Sequence, residues 1–247
     1  MDKETEVDIY IKEKLKMEVS EYFLKFSIIL LTRDEPNIVR DILVLIPNTE
    51  YGKFVNCYGS HFVIDDHDYE YPIFTKFRNL KWLKDDLESR LPIALWIYQN
   101  SLVIQDLQGE FVKLLGYYQS VFQQALPALT KYKYIEMRTE RHNLRQAISQ
   151  NRKIAVSIIK ATIAKLSMEI SLLADYQPYP YKKWLPEVAR NSCLGKEIYA
   201  LVETFLNEKN GKKTIAISEE IIANMRNSLC KNLLPNDLLN RWWLYLK

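Results

Sequence analysis

Two acids placed two apart, Glu6 and Asp8, are the first residues in this chain whose types and spacing could do chemistry. In Thr5-Glu6-Val7-Asp8-Ile9-Tyr10-Ile11 the alternation reads as a short strand, so both carboxylates project from one face. Hard oxygen ligands at that spacing suit a shared Mg²⁺ that bridges to nucleotide phosphates, although an acidic strand edge facing water has the same pattern. Asp65-Asp66-His67-Asp68 has metal-ligand residue types but falls between two β-like runs, where a solvated hairpin turn is expected. Gly59-Ser60 has the composition of a phosphate-binding turn, yet no helix is expected after it to supply backbone amides.

A second group lies on one expected helix: Glu136, Arg138, Glu140, Arg141, His142 and Arg145. Opposite charges one turn apart can pair along an exposed face, leaving Glu136 or Glu140 available as a general base. Arg138 and His142, four apart, could instead cleave RNA, with His142 as acid/base and Arg138 holding phosphate. The stretch Tyr176-Gln-Pro-Tyr-Pro-Tyr-Lys-Lys-Trp-Leu185 interleaves aromatic rings with Lys182 and Lys183. It could stack a base or sugar ring beside a cation, or simply pack a proline-rich connector onto a bundle. Trp242 and Trp243 would dock the last helix.

The elements that must position these groups fall into two parts. A strand at residues 6–11 leads into a helix over 13–31 with Leu15, Val19, Phe23 and Phe26 on one side. Residues 42–46 form an apolar run stopped by Pro47, a buried strand or a helix tail. Residues 53–77, rich in Val, Tyr, Phe and Thr, predict two or three antiparallel strands. Short helices at 80–87 and 92–98 and a strand at 102–104 follow, with Asp106 and Gly109 framing a type I turn. Beyond Glu110 only helical signals remain. Expected helices run over 127–149, 153–175, 195–207, 218–231 and 237–245, the second central to a bundle. The fold class is therefore α+β, with residues 1–108 a small mixed or antiparallel sheet domain and 109–247 an all-helical bundle.

Composition sets the outer bounds. The chain has 247 residues with 48% hydrophobic content, 16 Tyr and only 6 Gly, enough material for packed cores. No apolar run approaches the roughly 20 residues of a membrane span, and the first residues lack a signal-peptide pattern, so a cytoplasmic protein is expected. The three cysteines are scattered and fit neither a disulfide framework nor a zinc site. Residues 1–100 carry 13 Lys/Arg against 18 Asp/Glu, and the remainder 21 against 13. The basic half intersperses acids among its cations, which favours a solvated helix surface over nucleic-acid binding.

Leu91-Pro-Ile-Ala-Leu-Trp-Ile-Tyr-Gln-Asn-Ser-Leu-Val-Ile-Gln-Asp106, residues 133–145, Tyr179-Pro-Tyr-Lys-Lys-Trp-Leu185 and the closing Leu234-Pro-Asn-Asp-Leu-Leu-Asn-Arg-Trp-Trp-Leu-Tyr-Leu246 together resemble bacterial and archaeal nucleotidyltransferases that carry a helical domain of unknown function. Thr5-Glu6-Val7-Asp8-Ile9 is similar to the Ser-Asp-Ile-Asp-Leu of the polymerase-beta-like nucleotidyltransferase superfamily. The resemblance implies Mg²⁺ on Glu6 and Asp8, with Glu70 the available third carboxylate. It implies a nucleoside triphosphate, ATP first among them, as donor of a nucleoside monophosphate to a hydroxyl of a small molecule or protein. In that scheme Asp8, Glu136 and Glu140 are catalytic and Lys182 and Lys183 contact phosphate. The family's Gly-Ser turn precedes the acid pair, and only four residues precede Thr5 here, so weakened or lost transfer is expected. A non-catalytic nucleotide- or protein-binding module is the alternative, and a sheet edge left open would favour a homodimer.

Overall fold

The computed structural model describes residues 13, 15, 16, 19, 22–31, 40–64 and 73–246. The strand expected at residues 6–11, with Glu6 and Asp8, lies outside the described residues, as do Glu70 and the 65–68 turn. The chain divides into two compact units, Met1–Gln119 and Ser120–Lys247. Strand signals cease at residue 108, but the division falls further on, inside a helix.

Among the described residues the first unit holds a five-stranded mixed sheet: β1 (Ser27–Leu30), β2 (Arg40–Ile46), β3 (His61–Ile64), β4 (Ile73–Asn79) and β5 (Leu102–Asp106), in the order β3-β4-β2-β1-β5. β1 is antiparallel to both β2 and β5, β3 is antiparallel to β4, and β2 runs parallel to β4 with Ile46 opposite Asn79. Ile42 to Ile46 are all buried, as a central strand covered on both faces requires. One face is closed by Leu15, Val19, Phe23, Phe26 and Phe54 against Ile28, Leu30, Ile42, Val44, Ile46 and Phe77.

Two sequence expectations are corrected by the first unit. Residues 13, 15 and 16 are helical, but the expected helix does not reach residue 31: a 3-10 turn (Phe23–Lys25) gives way to β1. Ile28, Ile29 and Leu30 are buried in succession, and a fully buried run has no period by which to tell strand from helix. The segment 53–58, read as strand, belongs to α1 (Asn48–Tyr58). Its Tyr51, Phe54, Val55 and Tyr58 recur at helical spacing, and the Phe54 ring packs against Tyr22, Phe26, Tyr58 and Phe77 at 4.8 to 5.4 Å. Gly59 closes that helix at φ 81°, donating its N–H to the Val55 carbonyl, so Gly59-Ser60 sits at a helix C-terminus that offers carbonyls and not the amides an anion needs.

After β4 come α2 (Leu80–Ser89), α3 (Leu91–Gln99), β5 and then α4 (Glu110–Ser149), which continues through Pro127 and does not begin there. The helical unit adds α5 (Lys153–Ala174), α6 (Leu185–Arg190), α7 (Cys193–Asn207), α8 (Gly211–Asn232) and α9 (Asn236–Asn240). α5 packs against α6, α7 and α8, and its Ile163, Leu166, Ile170 and Leu173 are buried, so it is central as its spacing predicts. α8 starts earlier than expected. Asn210 caps it by accepting the Lys213 N–H at 3.1 Å, and Ser218 lies inside, bonded back to the Ile215 carbonyl. Gly195 is required at the start of α7, because a Cβ there would collide with the Ala189 carbonyl and the capping Ser192 hydroxyl.

Candidate functional site

The parallel pair β2 and β4 ends on one side of the sheet, and each strand runs directly into a helix. Pro47 carries β2 into α1, and Asn79 caps α2 by accepting the Trp82 N–H at 2.8 Å. The two helix starts are tied together where the Lys81 N–H donates to Asn48 Oδ1 at 3.4 Å. A third helix start is fixed beyond β5: the Gly109 N–H donates to the Asp106 carbonyl, and the Asp106 carboxylate accepts the N–H groups of Phe111 and Val112. Asp106 also accepts the Ser27 hydroxyl at 2.7 Å, which anchors the turn to β1.

Between these helix starts lies an open cleft of about 590 Å³ lined by Asn48, Lys81, Lys84, Glu110, Lys113 and Tyr117 over Leu80 and Leu114. Ligands of open α/β sheets bind outside the carboxyl ends of parallel strands, where helix N-termini converge. The three ammonium groups are loosely held. Lys84 stands 3.8 Å from Glu88 with both side chains more than half exposed, Lys113 reaches the Gln108 carbonyl at 3.5 Å, and Lys81 makes no ion pair among the described residues. The scaffold beneath them is firm. Tyr118 donates to Glu88 at 2.7 Å and Tyr98 to Asp86 at 2.9 Å, fixing α2. Burial first, then the neighbouring carboxylate, pushes both phenols up, so they remain donors throughout the physiological range.

The helical unit uses its cations differently. Lys133 donates to Glu169 at 2.7 Å, Lys165 approaches the other oxygen of that carboxylate at 3.1 Å, and the Lys133 ammonium lies 4.7 Å from the centre of the Tyr179 ring. Burial alone would lower the Lys133 pKa, but the Glu169 charge and hydrogen bond, with Tyr179, leave it raised. The buried Lys160 donates to the carbonyls of Leu206 and Glu208 at 2.9 and 2.8 Å, closing the C-terminus of α7. Desolvation pulls its pKa down, partly offset by the Glu208 charge.

The residues singled out by sequence are distributed as follows. Glu136 is exposed on α4, and Glu140, one turn on, takes a long 3.4 Å hydrogen bond from Asn143. Lys182 and Lys183 lie in the turn before α6, with the Lys183 ammonium 4.8 Å from the Trp184 ring centre. Arg138 donates to the Tyr134 hydroxyl, and His142 shares a hydrogen bond with Gln146. All six belong to the unit Ser120–Lys247, whereas the cleft belongs to Met1–Gln119. Glu6, Asp8 and Glu70 lie outside the described residues. The sequence reading missed Lys81, Lys84 and Lys113. The signal present was Asn79 followed by two lysines one turn apart, and an Asp-x-x-Gly turn opening a helix with Lys113 in its first turn.

No protein-family description matches this chain, and no curated protein matches it. Among solved structures it is similar to a nucleotidyltransferase-like protein from Exiguobacterium sibiricum 255-15, at a TM-score of 0.52 and 12% sequence identity, over 96% of this chain and 78% of that one. Among the described residues no helix is long and apolar enough to cross a membrane. The likeness extends over the sheet unit and the helices, and it is one of fold alone: an α+β domain followed by helices.

Proposed function

We propose that this chain binds a nucleoside triphosphate through the lysine cleft at the ends of β2 and β4, with ATP the first candidate. The observation that carries the reading is the cleft's donor set: three exposed ammonium groups beside converging helix starts, in a volume of about 590 Å³. Such a set attracts phosphate oxygens. It does not suit a bare divalent cation, since Glu110 is the one carboxylate among the described lining residues. Mg²⁺, if bound, would be held by Glu6, Asp8 and Glu70. Nucleotide binding therefore comes ahead of transfer of a nucleoside monophosphate to a hydroxyl, with Asp8 the carboxylate to test for that second activity.

The discriminating experiment is calorimetric titration of each of the four nucleoside triphosphates, with and without Mg²⁺, into the wild type and Asp8→Ala. Binding that survives Asp8→Ala and the omission of Mg²⁺ matches a cleft that acts by its lysines. Binding that needs both Mg²⁺ and Asp8 would shift the reading to a working transferase. No heat with any triphosphate would defeat it and turn the search to protein partners.

A further inference from the structure

The start of α4 lines the cleft with one of its faces. Glu110, Lys113, Leu114 and Tyr117 fall at i, i+3, i+4 and i+7, the spacing at which helical side chains share a stripe, so acid, cation, aliphatic chain and ring succeed one another along about 10 Å of helix. The two ends of that stripe differ in chemistry. Lys113 belongs to the charged end, with the helix start beside it, and Tyr117 lies one turn further on, past the half-buried Leu114. The Tyr117 ring is 60% exposed and meets the Tyr118 ring at 5.1 Å, with the two planes 85° apart. Such an edge contact covers at most one face of Tyr117. Tyr118 is itself buried and holds Glu88, so the backbone that carries Tyr117 is fixed. Exposure alone marks nothing, since Tyr132 of the same helix is 71% exposed and does not line this cleft. What distinguishes Tyr117 is the open volume of about 590 Å³ before it, shared with three ammonium groups and the apolar Leu80 and Leu114.

We infer that Tyr117 is the base-stacking residue of the cleft, which makes its ligand a nucleotide and not an inorganic polyphosphate; the inference rests on the reading of the cleft as a phosphate site. Ammonium, aliphatic wall and aromatic ring run along the α4 face in the order of phosphate, sugar and base in a nucleotide. The ring supplies a flat π surface, which every base can use, so all four triphosphates should bind. Preference among them follows stacking strength, and the larger purines should bind more tightly than the pyrimidines.

The test titrates ATP, and separately inorganic tripolyphosphate, by calorimetry into the full-length wild type, Tyr117→Ala and Tyr117→Phe at neutral pH and fixed ionic strength. Tyr117→Ala should weaken ATP about tenfold or more, as for the loss of one base–aromatic stack, and tripolyphosphate by less than about twofold. Tyr117→Phe keeps the ring and should bind ATP as the wild type does. Retained tripolyphosphate binding also shows that each variant is folded. ATP affinity unchanged in Tyr117→Ala, with tripolyphosphate still bound, would overturn the stacking role and leave the lysine cleft standing. Equal losses of both ligands in Tyr117→Ala would reduce the side chain to shaping the cleft, and a loss in Tyr117→Phe as large as in Tyr117→Ala would move its role to the hydroxyl; either result overturns the inference. A wild type that binds neither ligand would defeat the reading of the cleft itself, and the stacking role with it.

Discussion

The cations of the sheet unit and those of the helical unit perform opposite tasks. Lys81, Lys84 and Lys113 stand around an open cleft with weak or no partners, whereas Lys133 and Lys160 are enclosed and hydrogen-bonded on defined oxygens. A buried ammonium must find its partners within the fold or destabilise it, so Lys133 and Lys160 are spent on architecture. An exposed ammonium loses little by remaining unpaired and keeps its donors for a ligand. Positive charge counted along the chain cannot separate the two. The sequence is more basic beyond residue 100, yet Lys81 and Lys84 of the cleft lie in the acidic first part.

The largest effect should come from the most enclosed cation. Lys133→Met leaves Glu169, 3% exposed, with Lys165 alone and should cost about 3 kcal/mol in chemical denaturation. Lys133→Met/Glu169→Met should recover much of that loss, and a double variant no better than the single would break the comparison. Lys160→Met orphans the carbonyls of Leu206 and Glu208 and is expected to cost about 2 kcal/mol. Lys81→Ala/Lys84→Ala/Lys113→Ala should behave in reverse, altering stability by less than about 0.5 kcal/mol per site while weakening triphosphate binding at least about tenfold. The smallest effect is a pH dependence. Because the Lys133 pKa is raised above its ordinary 10.5, its contribution is fully present below that value and fades as pH climbs through the folded-state pKa. The stability gap between wild type and Lys133→Met should therefore hold constant through neutral pH and narrow only in strong alkali. A gap that closes near neutrality would place Lys133 outside its assigned role.

Much of the helical unit was legible because its segments carry period and punctuation together. α5 shows a long apolar stripe without Gly or Pro, and its bounds Lys153–Ala174 lie close to the expected ones. The sheet was legible as a class but not in detail. Ile28 to Leu30 are buried in succession and carry no period, while the aromatic residues of α1 look like strand formers until their spacing is counted. Pro127 reads as a helix start, yet α4 passes through it. The cleft was hidden for another reason. Lys81 and Lys84 are ordinary helix-surface residues in sequence, and only the parallel pairing of β2 with β4, which brings two helix starts to one side, places Lys113 of a third helix start beside them.

The most direct test of the central claim is ATP titration by calorimetry into wild type and Lys81→Ala/Lys84→Ala/Lys113→Ala, without Mg²⁺, at two salt concentrations. Saturable binding to the wild type that weakens with salt and disappears in the triple variant is the expected result. Equal binding by both proteins, or none by the wild type, would contradict the assignment of the cleft as the nucleotide site.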